Sequence, residues 1–226
     1  MMVKLRAVYS KSKESMYLSH LDIMGVFEKT FRRANIPLEY SKGYNPRPEI
    51  VFAHPLSVGI ESKGEIFEAI LVDELPIAYV VRELNKVLPV SITILSAEYI
   101  DLSEKNIMSR VYASTYTIEI CYRNGMLLGK NKRQIEDLKM WYKLKWLQYL
   151  EQDFLLVIRK STERMERIDI KPMIISYDFI LDGSLEITVD TGSKSNLKPD
   201  TIMTGFCEYI SQNLEYNIKR EKILFN

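Results

Sequence analysis

The chain has 226 residues, of which 46% are hydrophobic and 27% are charged. This composition is typical of a globular protein with an apolar core and excludes an intrinsically disordered chain. The 31 Lys and Arg residues nearly balance the 30 Asp and Glu residues, which gives a formal net charge of +1. The net charge therefore indicates no polyanionic partner, and a basic surface requires local clustering of charges.

Cysteine usage and short motifs argue against a metal or cofactor site. Cys121 and Cys207 lie far apart and form no CxxC pair, and no phosphate-loop, dinucleotide-binding, nucleophile-elbow or HExxH motif occurs. We therefore expect no cofactor and no metal. No apolar run approaches the roughly 18 residues of a membrane-spanning helix, and no signal peptide is recognisable. These features predict a cytoplasmic protein without membrane contact.

The first half of the chain predicts the element order β-α-β-β-α-β. Residues 3–9 alternate like a half-buried strand, with Lys4 and Arg6 on its exposed, polar face. A helix follows, and Ser19 and Asp22 form a capping-box-like pair at its start. Two strands, a second helix and a β-branched strand complete the unit. This order is that of the ferredoxin-like fold.

The second half of the chain predicts the same order. A strand precedes a long helix over residues 134–152, and two further strands are joined by Asp182-Gly183, a hairpin turn signal. A helix that begins at a proline and a last strand follow. We therefore expect an α+β fold of two tandem ferredoxin-like halves, residues 1–103 and 108–226.

Both halves carry a basic segment between the first helix and the second strand. In the first half this segment is "YSKGYNPRP" at residues 40–48, and in the second half it is residues 159–171. A third basic loop, "GSKSNLK" at residues 192–198, precedes a predicted helix. Lysines and backbone amides at a helix start favour anions such as phosphate.

The 40–48 segment has the composition of a nucleic-acid contact. Its bases would meet phosphates, an aromatic ring would stack on a base, and a glycine would let the backbone approach. Two prolines would lower the cost of ordering the loop. The alternative is a stiff connection whose aromatics pack onto the core. The predicted nucleic-acid-binding residues are Lys42, Gly43, Tyr44, Asn45, Arg47, Arg159, Lys160, Arg164, Arg167, Lys194 and Lys198.

His20 is the candidate catalytic residue because it lies at a predicted helix start and imidazole titrates near neutral pH. RNA processors of the CRISPR repeat-cleaving type have tandem ferredoxin-like domains with a histidine near the first helix, and they cleave RNA without metal. The alternative is a structural histidine that caps the helix. His54, which precedes a proline, is expected to be structural, and the spacing of the two histidines does not indicate a metal site.

Several motifs of the chain form a known pattern: "YLSHLD" at 17–22, "RRA" at 32–34, "YSKGYNPRPEIVFAHPLSVGIES" at 40–62, "IDIKPMI" at 168–174 and the "GSKSNLKPD" loop. With these motifs the chain resembles the radical SAM-linked family, most specifically over residues 17–62. This family is a bacterial domain of unknown function that is fused to, or encoded beside, radical SAM proteins. The resemblance implies a radical SAM protein as partner, which would hold the iron–sulfur cluster. It supplies no catalytic residues.

Three functions are compatible with these features. The first is an accessory module that binds RNA, such as tRNA or rRNA, and presents it to a radical SAM enzyme. The second is a metal-independent endoribonuclease that uses His20, with Lys42 or Arg47 stabilising the phosphate of the transition state. The third is a protein-interaction scaffold for the radical SAM partner without RNA contact.

Overall fold

The computed structural model describes residues 1–121, 131–160, 165–180 and 183–226. The strands in these ranges are β1 (Val3–Lys11), β2 (Ile50–Phe52), β3 (Glu61–Leu71), β4 (Ile92–Ile100), β5 (Val111–Ile120), β6 (Leu156–Lys160), β7 (Met165–Asp169), β8 (Ile174–Phe179), β9 (Leu185–Asp190) and β10 (Tyr216–Phe225). The helices are α1 (His20–Arg33), α2 (Ile77–Val87), α3 (Ile107–Arg110), α4 (Lys132–Leu150) and α5 (Pro199–Ile210). The fold is mixed α+β, as the sequence predicts.

The chain divides into two compact units. The first comprises Met1–Ala113 together with Lys219–Asn226, and the second comprises Ser114–Ile218. The C-terminal end of the chain therefore returns to the first unit. No helix in the described ranges is long and apolar enough to cross a membrane.

The sheet of the first unit is built around β1. β1 pairs antiparallel with both β3 and β4, and β2 pairs antiparallel with β3, which gives the order β4-β1-β3-β2. The end of β10 runs parallel to the start of β3, with Lys219 opposite Glu61 and Arg220 opposite Ser62. β10 therefore contributes a fifth strand to the sheet at the start of β3.

Helix α1 begins at the capping box that the sequence predicts. The Ser19 hydroxyl accepts a hydrogen bond from the Asp22 amide at 3.2 Å, and the Asp22 carboxylate accepts one from the Ser19 amide at 2.9 Å. Both bonds satisfy amides that the first helical turn leaves without a partner. The helix then buries Ile23, Phe27 and Phe31 in the core of the unit, and this burial fixes α1 on one face of the sheet.

The opposite face of β1 is buried, in contrast to the sequence-based expectation for Lys4 and Arg6. Glu68 of β3 forms ion pairs with Lys4 at 3.0 Å and with Arg6 at 2.7 Å, and it accepts a hydrogen bond from the Ile107 amide at 3.1 Å. Glu104 binds Arg6 at 2.9 Å. The segment that precedes and includes α3 therefore covers this face. The alternation of apolar and polar residues in β1 predicts which side chains share a face, but not whether another segment covers that face.

The second unit contains a run of neighbouring strands and two helices that pack on each other. β9 pairs antiparallel with β8 and lies beside β5, and β5 lies beside β10, so the order is β10-β5-β9-β8. The hydroxyls of Thr115 and Thr188 form a hydrogen bond of 2.9 Å between β5 and β9. Helices α4 and α5 are joined by stacking of Trp146 on Phe206, whose ring centroids lie 3.6 Å apart. Tyr142, Trp146 and Tyr149 of α4 are all buried, so these aromatic side chains belong to the core of the unit.

Strands β6 and β7 form a two-stranded antiparallel ribbon that includes part of the predicted basic segment at residues 159–171. Leu156 lies opposite Asp169, and Ile158 lies opposite Arg167. Val157 is buried, whereas Leu156 and Ile158 are exposed. The ribbon therefore buries one face and presents apolar and charged side chains on the other, because neighbouring residues of a strand point to opposite faces.

Candidate functional site

The 40–48 segment is a small closed hairpin on the first unit. Tyr40 and Pro48 form an antiparallel bridge. Inside this bridge, the Ser41 amide donates to the Arg47 carbonyl at 2.9 Å, and the Arg47 amide donates to the Ser41 hydroxyl at 3.0 Å. These bonds close the loop without using the side chain of Arg47.

The base of this hairpin is fixed to the sheet. The Glu39 amide donates to the Ile70 carbonyl at 2.8 Å, and the Ile70 amide donates to the Glu49 carbonyl at 3.0 Å. Leu38 also forms a bridge with Leu71 at the end of β3. The hairpin therefore projects from a hydrogen-bonded stem, which lowers the ordering cost of any contact it makes.

The tip of the hairpin lies in solvent. The relative accessibility of Tyr44 is 101%, and Lys42, Gly43, Asn45 and Arg47 are also exposed. The packing of aromatics onto the core, which the sequence left open, does not occur at Tyr44. A Cβ atom built on Gly43 would meet no atom within 4 Å, so the fold itself does not require glycine at this position.

His20 is the first residue of α1 and is partly exposed. It does not cap the helix, because Ser19 and Asp22 do. Its ring meets that of Phe52 edge-on, with centroids 5.5 Å apart. Burial lowers the pKa of His20, an effect that Glu65 opposes. The imidazole is therefore mainly neutral near pH 7 and can accept a proton.

A buried charged cluster lies in the same unit and was not foreseen from the sequence. Arg220 of β10 donates to both carboxylate oxygens of Glu65 at 3.0 Å and to the carbonyl of Pro55 at 3.1 Å. Lys11 donates to the carbonyl of Leu18 at 2.9 Å, and burial lowers the pKa of Lys11. The members come from distant segments, so no local sequence signal points to the cluster.

The described ranges contain no group of three or more His, Cys, Asp or Glu side chains that could hold a metal ion. His54 is half-buried, and its carbonyl accepts a hydrogen bond from Arg220 at 3.3 Å. The backbone of His54 thus has a structural role.

In the second unit, two predicted basic elements border one groove of about 800 Å³. Lys194 and Lys198 line it from the 192–198 loop, and both are exposed. Ile158 of the β6–β7 ribbon lines it as well, and Arg167 lies directly opposite Ile158 in the ribbon. Arg167 is exposed and shares the ribbon face of Ile158.

The remaining predicted bases of this unit lie outside the part that can be described. Arg164 falls in the gap between residues 160 and 165, and the side chains of Arg159 and Lys160 are likewise outside the described part of the chain. Their role in nucleic-acid binding stays a prediction.

Comparison with known proteins adds a family but no activity. No curated protein matches the sequence. One solved crystal structure, described as a candidate glycine cleavage system transcriptional repressor, is 9% identical over 100% of this chain and 99% of that chain, with a TM-score of 0.27. A TM-score of 0.27 is too low to show a shared fold. Residues 4–199 match the family model described as an uncharacterized protein conserved in bacteria, DUF2344, and the chain belongs to this family.

Proposed function

We propose that this protein is an RNA-binding accessory module that acts with a radical SAM enzyme in RNA modification. The observation that carries the RNA part is the 40–48 hairpin, which holds Lys42, Arg47 and the fully exposed Tyr44 on a fixed stem. Proteins bind unpaired RNA by stacking bases on aromatic rings and by placing cations at phosphates. The tip of this hairpin offers both kinds of group.

The radical SAM part of the proposal rests on the resemblance of residues 17–62 to the radical SAM-linked family. The whole sequence contains two cysteines, whereas an iron–sulfur cluster is usually held by about four thiolates. The partner would therefore hold the cluster and perform the chemistry. This chain would select or position the RNA.

We further infer that both units are variants of the ferredoxin-like fold. The strand order β4-β1-β3-β2 with α1 and α2 supports this for the first unit. The order β10-β5-β9-β8 with α4 and α5 supports it for the second unit. Helix α3 and the β6–β7 ribbon would then be additions to the basic pattern.

The double variant Lys42→Ala/Arg47→Ala tests the RNA proposal. Total small RNA is titrated against wild type and variant across a salt series. Each lost phosphate contact reduces the magnitude of the slope of log K against log salt by about 0.7 for single strands. The magnitude of the slope should therefore be smaller by about 1.4 for the double variant. We expect affinity at low salt to fall at least about tenfold.

The matched control is Lys29→Ala/Arg82→Ala, which removes one exposed lysine and one exposed arginine from helices of the same unit. It should retain the wild-type slope. Equal slopes for the wild type and the Lys42→Ala/Arg47→Ala variant would overturn the assignment of the hairpin.

The same titration, with its RNA then separated on a denaturing gel, also tests the endoribonuclease, for which the partly exposed position of His20 at the start of α1 is the supporting observation. Metal-independent cleavage that is lost in His20→Ala would support the endoribonuclease and contradict the RNA-binding module. Absence of RNA binding, together with tight binding of a radical SAM protein, would support the protein-interaction scaffold.

A further inference from the structure

Strand β4 is an edge strand in the described part of the chain, because it pairs with β1 on one side and borders no strand on the other. It has nine residues, "ITILSAEYI", with one charged side chain and no proline. A long and mainly apolar edge strand offers unpaired backbone groups to a further strand and is prone to association. The outer edge of β4 therefore needs a contact that closes it.

The backbone of Ile94 points to this outer edge. In an antiparallel pair, alternate residues of a strand direct both their N–H and their C=O group to the same neighbour. The Ser12 amide donates to the Ser91 carbonyl at 2.9 Å, and Lys11 lies opposite Ile92 in the register of β1 and β4. Ser91 therefore faces β1, whereas Ile92 and Ile94 face away from it.

The side chain of Asn85 takes the place of an added strand beside Ile94. Its Oδ1 atom accepts a hydrogen bond from the Ile94 amide at 2.8 Å, and its Nδ2 atom donates to the Ile94 carbonyl at 2.9 Å. A carboxamide makes both bonds because it carries a donor and an acceptor side by side, as a peptide group does. The Ile92 amide donates to the Pro89 carbonyl at 2.9 Å. Three outward-pointing groups at the start of β4 are thus satisfied within the unit.

Asn85 is held in this position by helix α2, which is tied to β4 at its other end as well. The Tyr99 hydroxyl of β4 donates to the Leu75 carbonyl at 2.7 Å and accepts from the Leu75 amide at 3.2 Å. Leu75 directly precedes the N-cap of α2, and Asn85 lies in the last turn of this helix. Between the two contacts Leu95 is 54% exposed, so this part of β4 remains open to solvent.

We propose that the side chain of Asn85 blocks strand addition at the β4 edge and thereby prevents this protein from pairing with a second copy of itself through β4. A second copy presents the same edge, and two β4 strands related by a two-fold axis run antiparallel, so they are able to pair. The inference goes beyond the RNA proposal and does not depend on it, because β4 and Asn85 take no part in the 40–48 hairpin.

Sedimentation velocity of the full chain over a concentration series tests this proposal with Asn85→Ala. Alanine favours a helix, so α2 is retained, and circular dichroism checks the fold. The variant frees an N–H and a C=O group on each copy for bonds between copies. We expect its self-association constant to exceed that of the wild type at least about tenfold.

Leu95→Lys in the Asn85→Ala background shows whether the association uses β4. Lysine on an edge strand opposes pairing with another strand, and Leu95 is exposed, so the fold tolerates the change. The double variant should return to the association constant of the wild type. Unchanged strong association in the double variant would overturn the proposal, because the contact would then lie elsewhere.

Hydrogen exchange of the Ile94 amide gives a measurement that needs no variant. In the wild type this amide should exchange slowly, since Asn85 accepts its hydrogen bond, and in dilute Asn85→Ala it should exchange at least about tenfold faster. Fast exchange in the wild type would show that Asn85 does not close the edge. Equal association constants for the wild type and a folded Asn85→Ala variant would also contradict the proposal.

Discussion

Replacing Arg220 by methionine is expected to lower the free energy of unfolding by about 3–5 kcal/mol. The guanidinium is 2% exposed and binds both carboxylate oxygens of Glu65, which is 3% exposed. Methionine has a similar volume but leaves the Glu65 carboxylate buried without its main partner. It also removes the hydrogen bonds from Arg220 to the carbonyls of His54 and Pro55.

The neighbouring residue provides the control for this prediction. Lys219 precedes Arg220 on β10 and also pairs with a glutamate of β3, Glu61, at 3.1 Å, but its side chain is 39% exposed. Exposed ion pairs contribute roughly 0–1 kcal/mol, so Lys219→Met should be nearly neutral. Thermal and urea unfolding followed by circular dichroism measure both variants. Similar small losses would show that the Arg220–Glu65 pair is not buried as described.

Replacing Gly205 by alanine is expected to destabilise the second unit by about 1–3 kcal/mol through overpacking. Gly205 lies on α5 where it faces α4 and β6. A Cβ atom there would overlap the Tyr149 hydroxyl oxygen and lie 2.8 Å from Cγ1 of Val157. Tyr149 and Val157 are buried, so neither can move into solvent without loss of packing.

A second-site change makes this prediction specific. The Tyr149 hydroxyl is buried and has no hydrogen-bond partner among the described residues. Tyr149→Phe should therefore be neutral or slightly stabilising, since a buried polar group without a partner is unfavourable. In the Gly205→Ala background it should recover part of the lost stability, because it removes the overlapping oxygen.

Tryptophan fluorescence during urea unfolding reports on this unit, because Trp141 and Trp146, the two tryptophans of the chain, both lie in α4. Gly43→Ala is the control, since its Cβ would meet no atom within 4 Å, and it should change stability by less than about 0.5 kcal/mol. If Tyr149→Phe gave no recovery in the Gly205→Ala background, overlap with the Tyr149 hydroxyl would not be the cause of the destabilisation.

Local patterns in the sequence were sufficient for some elements of the first unit. The capping pair Ser19 and Asp22 predicted the start of α1, because both residues lie within its first turn. The exposed, basic character of the 40–48 segment was also predictable, because prolines and glycine exclude a regular strand there.

Long-range pairing was beyond such reasoning. Arg220 and Glu65 are 155 residues apart, and nothing near either residue indicates its partner. Lys4 and Arg6 were expected in solvent, because local patterns cannot show their partners. The carboxylates of Glu68 and Glu104, which pair with them, come from other segments. The groove lined by Ile158 was equally unpredictable, because the β6–β7 ribbon and the 192–198 loop that line it are separated in the sequence by β8 and β9.

Binding of a single-stranded oligouridine by Tyr44→Ala and Tyr44→Phe tests the central claim most directly. Tyr44 is fully exposed, so neither change can act through folding. Stacking of one base contributes about 1–3 kcal/mol, so Tyr44→Ala should weaken binding about fivefold or more while Tyr44→Phe retains it. Equal affinities of the wild type and Tyr44→Ala for the RNA would contradict the assignment of the 40–48 hairpin as an RNA contact.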